Sequence, residues 1–231
     1  LMQMKTNRST EKISLIHDID TPAVIVDLKI VKENIHTYQK YCDDLGITLR
    51  PHIKTHKIPA LAKLQIRAGA IGITAQKISE AEAMISEGGI DNVLITYNII
   101  GEKKLRALQN LAKKVKVSVV ADSSFCVKGL SKSFKGAEEP LSVLVECDTG
   151  ANRCGVVTPH LACELAEFIN ISPGLIFGGL MTYPPISEAQ KINSYLTEAK
   201  KLIEAKNIAV NTVSIGGSPD MWKVKDIPIA T

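Results

Sequence analysis

The sequence predicts an α/β fold of parallel strands ringed by helices, a TIM-type (β/α)8 barrel. Three observations carry this. Short runs rich in β-branched residues alternate with longer amphipathic stretches along the chain, the pattern of successive βαβ units. The runs are almost continuously apolar, as strands buried on both faces are. A polar, titratable or glycine residue then stands at the end of run after run: Lys54, Gln76, Asn98, Asp122, Asp148, Tyr183 and Gly216. An open doubly wound sheet shares the first two features. The third favours a barrel, whose strand ends meet at one mouth where active sites sit.

In chain order the strand-like runs are AVIVDL (23–28), ITLRPHIK (47–54), AIGITAQ (70–76), NVLITYN (92–98), VKVSVVAD (115–122), LSVLVECD (141–148), LIFGGLMTY (175–183) and TVSIGG (212–217). Between them lie helix-like segments such as LKIVKENIHTYQKYCDDL, SEAEAMISEG, GEKKLRALQNLAKK, HLACELAEFIN and SEAQKINSYLTEAKKLIEAK, with apolar residues three and four apart. Ser79 followed by Glu82 reads as a capping box. If AVIVDL precedes the barrel, seven strands follow it, one short of a closed ring of about eight. The expectation is an extension over residues 1–19 and a barrel domain over 20–231, incomplete at its C-terminal side.

Composition excludes several classes of function. The chain has 231 residues, 45% of them hydrophobic, enough for one core. With 28 basic and 24 acidic residues the net charge is +4, and aromatics are only 4%; neither suits nucleic-acid binding. No apolar run approaches the roughly eighteen residues of a membrane span. The opening LMQMKTNRSTEKIS has no apolar signal core, which predicts a cytoplasmic protein. The five cysteines (42, 126, 147, 154 and 163) show no CxxC spacing, as expected of reduced thiols.

The chemistry concentrates in four places. In RPHIKTHK a strand would turn Arg50, His52 and Lys54 to one face. Pro51 disfavours the helix that a His52/His56 zinc pair would need. An inward lysine near Arg50 favours the neutral amine that attacks aldehydes; a salt-bridged rim lysine is the plainer alternative. GGSPD (216–220) follows a strand with glycines, the make-up of a phosphate nest. ECDTGANRCG places Asp148 at a strand end and Arg153 on the next loop, a fixed cation or one half of an Asp–Arg clamp. GLMTYP puts Tyr183 at another strand end.

Taken together, DTPAVIVDL, RPHIKTHK, ECDTGANRCG, GLMTYP and SIGGSPDMW closely resemble the D-threonine aldolase and D-serine dehydratase family, pyridoxal 5′-phosphate (PLP) enzymes of the alanine racemase type (fold type III). The resemblance runs in order from Asp20 to the last residue. It implies a barrel of the alanine racemase N-terminal kind, with Lys54 holding PLP as a Schiff base and Lys57 as the alternative lysine. It further implies Arg153 at the cofactor's ring hydroxyl, Tyr183, Gly216, Gly217 and Ser218 at its phosphate, and His52 in support. The implied reaction is retro-aldol cleavage of a D-3-hydroxy amino acid, D-threonine above all, to glycine and an aldehyde. Ammonia-lyase chemistry on D-serine and a non-catalytic PLP-homeostasis barrel are the alternatives. The resemblance also implies a homodimer in the full-length form. Two departures stand out. The family's C-terminal β domain, which supplies histidine and acidic or cysteine ligands for a divalent metal (Mn²⁺ or Zn²⁺), has no counterpart here, so this chain is expected to be truncated before the last barrel strand and to hold no metal ligands. TYPPIS also stands where relatives often carry Gly-His after the tyrosine-proline.

Overall fold

The computed structural model describes residues 18–231, so residues 1–17 of the expected extension lie outside the described part. The chain divides into two compact units, Leu1–Asn34 and Ile35–Thr231. Helix α1 (Leu28–Asp44) crosses that boundary. The expected strand AVIVDL is a correction: residues 23–27 form no strand, and Val24, Ile25 and Val26 are exposed. The cause is local. The Asp27 carboxylate accepts the N–H groups of Lys29 (2.8 Å) and Ile30 (3.3 Å), satisfying donors that open a helix.

The second unit is a parallel sheet wrapped by helices. Its strands are β1 (Ile73–Ala75), β2 (Asn92–Ile95), β3 (Lys116–Ala121), β4 (Leu141–Cys147), β5 (Leu175–Thr182) and β6 (Val213–Ile215). They pair in sequence order, every neighbour parallel, as right-handed crossovers around a ring require. The helices between them are α2 (Pro59–Ala68), α3 (Ile78–Ile85), α4 (Glu102–Ala112), α5 (Ser124–Phe134), α6 (Pro159–Ile171) and α7 (Ala189–Glu204); a 3₁₀ segment covers Ser218–Asp226. Side-chain caps start two of them: Ser123 accepts from Cys126 N–H, and Thr158 from Leu161 N–H. Prolines open α2 and α6, where a missing N–H costs nothing. The expected capping box at Ser79 is not formed; α3 starts after Lys77, and Glu80 rather than Glu82 reaches back, to Gln76 N–H.

Strand alternation sorts the core into two faces. Val93, Ile95, Val119, Val143, Val145, Leu180 and Val213 belong to the large core with the helices. Leu94, Val120, Leu144 and Met181 form a separate small cluster on the opposite face, the barrel interior. Continuing that inward parity past the strand ends reaches Asp122, Asp148, Tyr183 and Gly216, the residues that the sequence placed at the mouth.

Residues 47–54 are a second correction. They run beside β1 with three backbone hydrogen bonds, Ile71 N–H to Leu49 O, Thr74 N–H to Pro51 O and Ile53 N–H to Thr74 O. Only one bridge, His52 with Thr74, qualifies as strand pairing. Pro51 has no N–H to give to a ladder, and the chain turns at Ile53–His56. Among the described residues, six paired strands and this extended segment make up the curved wall. No helix among them is long and apolar enough to cross a membrane.

Candidate active site

His52 stands on the inward face opposite Thr74, and the turn that follows presents Lys54. Lys57 N–H closes the turn on Ile53 O at 2.8 Å, and Ile53 is fully buried. Each histidine accepts a backbone N–H two residues on: Lys54 N–H to His52 Nδ1 at 3.2 Å, Ile58 N–H to His56 Nδ1 at 3.0 Å. Accepting at Nδ1 puts the neutral ring's proton on Nε2. Burial, then the charge of Lys54, with a smaller contribution from Arg153, pushes the His52 pKa down to about 4, so the imidazole is neutral at pH 7.

Lys54 is exposed, and its Nζ lies 6.0 Å from the centroid of the Tyr183 ring. The Arg153 guanidinium carbon lies 3.9 Å from the same centroid, within cation–π range. Lys57, the alternative lysine, is engaged elsewhere, its Nζ 3.0 Å from Glu80 Oε1. Arg50 is not beside Lys54 as expected. Its guanidinium donates to Asn92 Oδ1 at 2.7 Å, at the start of β2, while Lys54 lies four residues on, past His52 and in the turn.

The loop carrying Arg153 is tightly returned. Asp148 N–H donates to Val156 O and Val156 N–H to Glu146 O, both at 2.9 Å, so Val156 comes back beside Cys147. The Asp148 carboxylate accepts the N–H groups of Gly150 (2.9 Å) and Asn152 (3.0 Å); it orders the loop itself. Gly155, at φ +108°, is the pivot: a Cβ there would lie 2.6 Å from Asp148 N and Cys147 C. Inside the wall, Glu146 is only 2% exposed and accepts the Cys154 thiol at 3.0 Å. Burial, helped by Asp122, raises the Glu146 pKa against the opposing Cys154 hydrogen bond and Arg153 charge.

Gly216 and Gly217 lie between β6 and the 3₁₀ segment, which Ser218 opens. A Cβ on Gly216 would meet nothing within 4 Å, and one on Gly217 would come 3.5 Å from Pro184 Cγ, next to Tyr183. Asp220 ties these loops together, accepting Ser187 N–H at 2.5 Å. Tyr38 and Tyr41 hold the 3₁₀ segment through Met221 O (3.2 Å) and Trp222 O (2.7 Å).

Lys54, His52, Arg153 and Tyr183 are thus brought together, and the glycine loop joins them through the Tyr183 loop. Among the described residues no group of three His, Cys, Asp or Glu is placed to hold a metal ion. Residues 26–227 match the family described as alanine racemase, N-terminal domain. The chain belongs to this family. It is 32% identical to D-threonine aldolase of Arthrobacter sp over 211 residues, 87% of this chain and 55% of that protein. It is 32% identical to 3-hydroxy-D-aspartate aldolase of Paracoccus denitrificans, with the same shares of 87% and 55%. The structure of D-threonine aldolase from Filomicrobium marinum superposes with a TM-score of 0.85 at 32% identity, covering 92% of this chain and 59% of that one. The chain spans about half the length of the curated relatives it matches.

Sequence reasoning missed Glu146, Cys154, Glu80 and Asp220. A carboxylate inside the apolar run LSVLVEC was the available signal for Glu146, since such a group is rarely buried without purpose. Nothing local marks the reach of Glu80 to Lys57 or of Asp220 to Ser187, which lie on other segments.

Proposed function

We propose that this chain is the cofactor-binding barrel of a PLP-dependent lyase that acts on D-3-hydroxy amino acids, of the D-threonine aldolase kind, with Lys54 as the lysine that bonds the cofactor. The observation carrying this reading is the convergence of the Lys54 amine and the Arg153 guanidinium on the Tyr183 ring, while Lys57 is occupied by Glu80. The residues fit a planar phosphorylated aldehyde. Lys54 offers the free amine, Arg153 a fixed cation, and the open backbone at Gly216 and Gly217 with Ser218 room and N–H groups for a phosphate. When bound, PLP would supply an electron sink for cleavage next to the substrate's α-carbon. The protein's own part is positional: neutral His52 accepts Lys54 N–H and orients the turn, and Tyr183 aligns Arg153. The names of the two aldolase relatives favour carbon–carbon cleavage over dehydration.

The test is reduction of the PLP-loaded protein with borohydride, followed by peptide mass spectrometry. Wild type and Lys57→Ala should carry the PLP mass on residue 54; Lys54→Ala should carry none, a complete loss. Label on Lys57 instead overturns Lys54 as the bonding lysine, and no label on soluble folded wild type overturns the cofactor reading. Assay of the full-length protein on D-threonine and D-serine, with and without Mn²⁺, then separates products: glycine with acetaldehyde supports the aldolase, whereas pyruvate with ammonia from D-serine favours the dehydratase.

A further inference from the structure

We infer that Glu80 is the positioning residue of Lys54: its carboxylate bridges the lysine's turn to the end of β1 and so fixes where the amine stands. This rests on Lys54 being the cofactor-bonding lysine. The turn leaves the wall at buried Ile53 and ends at Lys57, whose φ of +51° is a left-handed conformation that side chains disfavour. Inside it, the Lys57–Ile53 backbone bond and the His52 cap are the ties that hold Lys54.

Glu80 adds the missing outer tie. It is buried in the first turn of α3, and each oxygen has its own segment. Oε2 accepts Gln76 N–H at 3.2 Å, immediately after β1; Oε1 meets Lys57 Nζ at 3.0 Å. One carboxylate therefore spans the same gap that the Thr74–Ile53 bond spans lower in the wall. Lys57 is 57% exposed against 9% for Glu80, and an exposed pair alone would contribute little. The burial of Glu80 changes the weighting, because a buried carboxylate deprived of its cation is left uncompensated.

The test compares wild type, Glu80→Gln, Lys57→Met and the double variant. Glutamine keeps an acceptor for Gln76 N–H, and Lys57→Met leaves α3 untouched, so at least one variant reports from a folded protein. Without PLP, amide hydrogen exchange of the 53–58 peptide should quicken about fivefold in each single variant, the scale of one lost ion pair at a partly buried site. With PLP, the Kd should rise by a similar factor, about fivefold, in both, and the double variant should be no worse than the worse single one. The inference fails if exchange in this peptide is unchanged. It also fails if Glu80→Gln lowers only the melting temperature while Lys57→Met leaves both exchange and PLP affinity at wild-type values, since Glu80 would then serve α3 alone. Failure of wild type to take up PLP would sink the functional reading, and the exchange arm would still decide the tie.

Discussion

The two sides of the barrel mouth rest on unequal foundations. Tyr183 directly follows β5 and Arg153 sits on the loop returned after β4, strands of eight and seven residues registered over seven positions. Lys54 hangs beyond an extended segment with a single bridge to β1. Cross-strand pairs are the unit of sheet stability, so the first side is held by its ladder, and the second by a few backbone bonds supplemented by side chains, the His52 cap and the Glu80–Lys57 pair. The difference matches what each side would do under the proposed function. A cation that stabilises a fixed charge gains from rigidity, whereas the lysine's bond must be made and broken in each turnover.

Disturbing the rigid side should have the larger effect. Gly155→Ala places a methyl against the backbone of Cys147 and Asp148 at a φ of +108°, and nothing there is a flexible side-chain end that can yield. We expect a loss of about 3 kcal/mol in urea-induced unfolding, with PLP affinity falling as Arg153 leaves the Tyr183 ring. Unchanged stability would mean that the loop carries no strain and that the ladder alone orders this side.

Acid should find the Lys54 side next. His52 titrates at about 4 in the folded chain against 6.5 as an ordinary histidine. Between those values the unfolded chain holds a proton that the folded one lacks, so stability rises with pH across that window and is lost as pH falls through it. The ceiling on this contribution is about 3 kcal/mol. His52→Gln, which has no ionisation, should flatten the slope of unfolding free energy between pH 6.5 and 4. Glu146, on the other side, has the opposite sign: its raised carboxyl pKa contributes stability that is lost as pH rises through the folded value. A wild-type slope that survives His52→Gln would place the acid sensitivity outside the turn.

These contrasts also explain what could be read in advance. Strand-end residues such as Asp148 and Tyr183 were legible because inward parity and a common mouth are consequences of a period of two and of βαβ order; the cofactor roles expected of Lys54 and of the loop residue Arg153 came from the resemblance of the motifs. The poor pairing of residues 47–54 was legible only in part. Pro51 signals a lost donor, but whether the chain pairs or turns depends on the partner strand. AVIVDL reads as a strand until the Asp27 carboxylate is seen accepting two helix-opening N–H groups. The Glu80–Lys57 and Asp220–Ser187 contacts join residues 23 and 33 positions apart, and no periodicity encodes such pairs.

The smallest effect should come from Tyr183, and it separates two roles that one residue could have. If the ring matters, as a surface for the Arg153 guanidinium at 3.9 Å, then Tyr183→Phe retains the ring face and Tyr183→Ala loses it. Cation–π contacts contribute about 0.5–2 kcal/mol, so PLP Kd should rise about tenfold in the alanine variant and stay near wild type in phenylalanine. If instead the hydroxyl matters, by donating to the phosphate, both variants should weaken binding alike, because each removes the same donor. Fluorescence titration with PLP reads both. Equal weakening would move Tyr183 from the rigid arginine side to the phosphate loop, and the unequal foundations of the mouth would then rest on Arg153 and its Gly155 pivot alone.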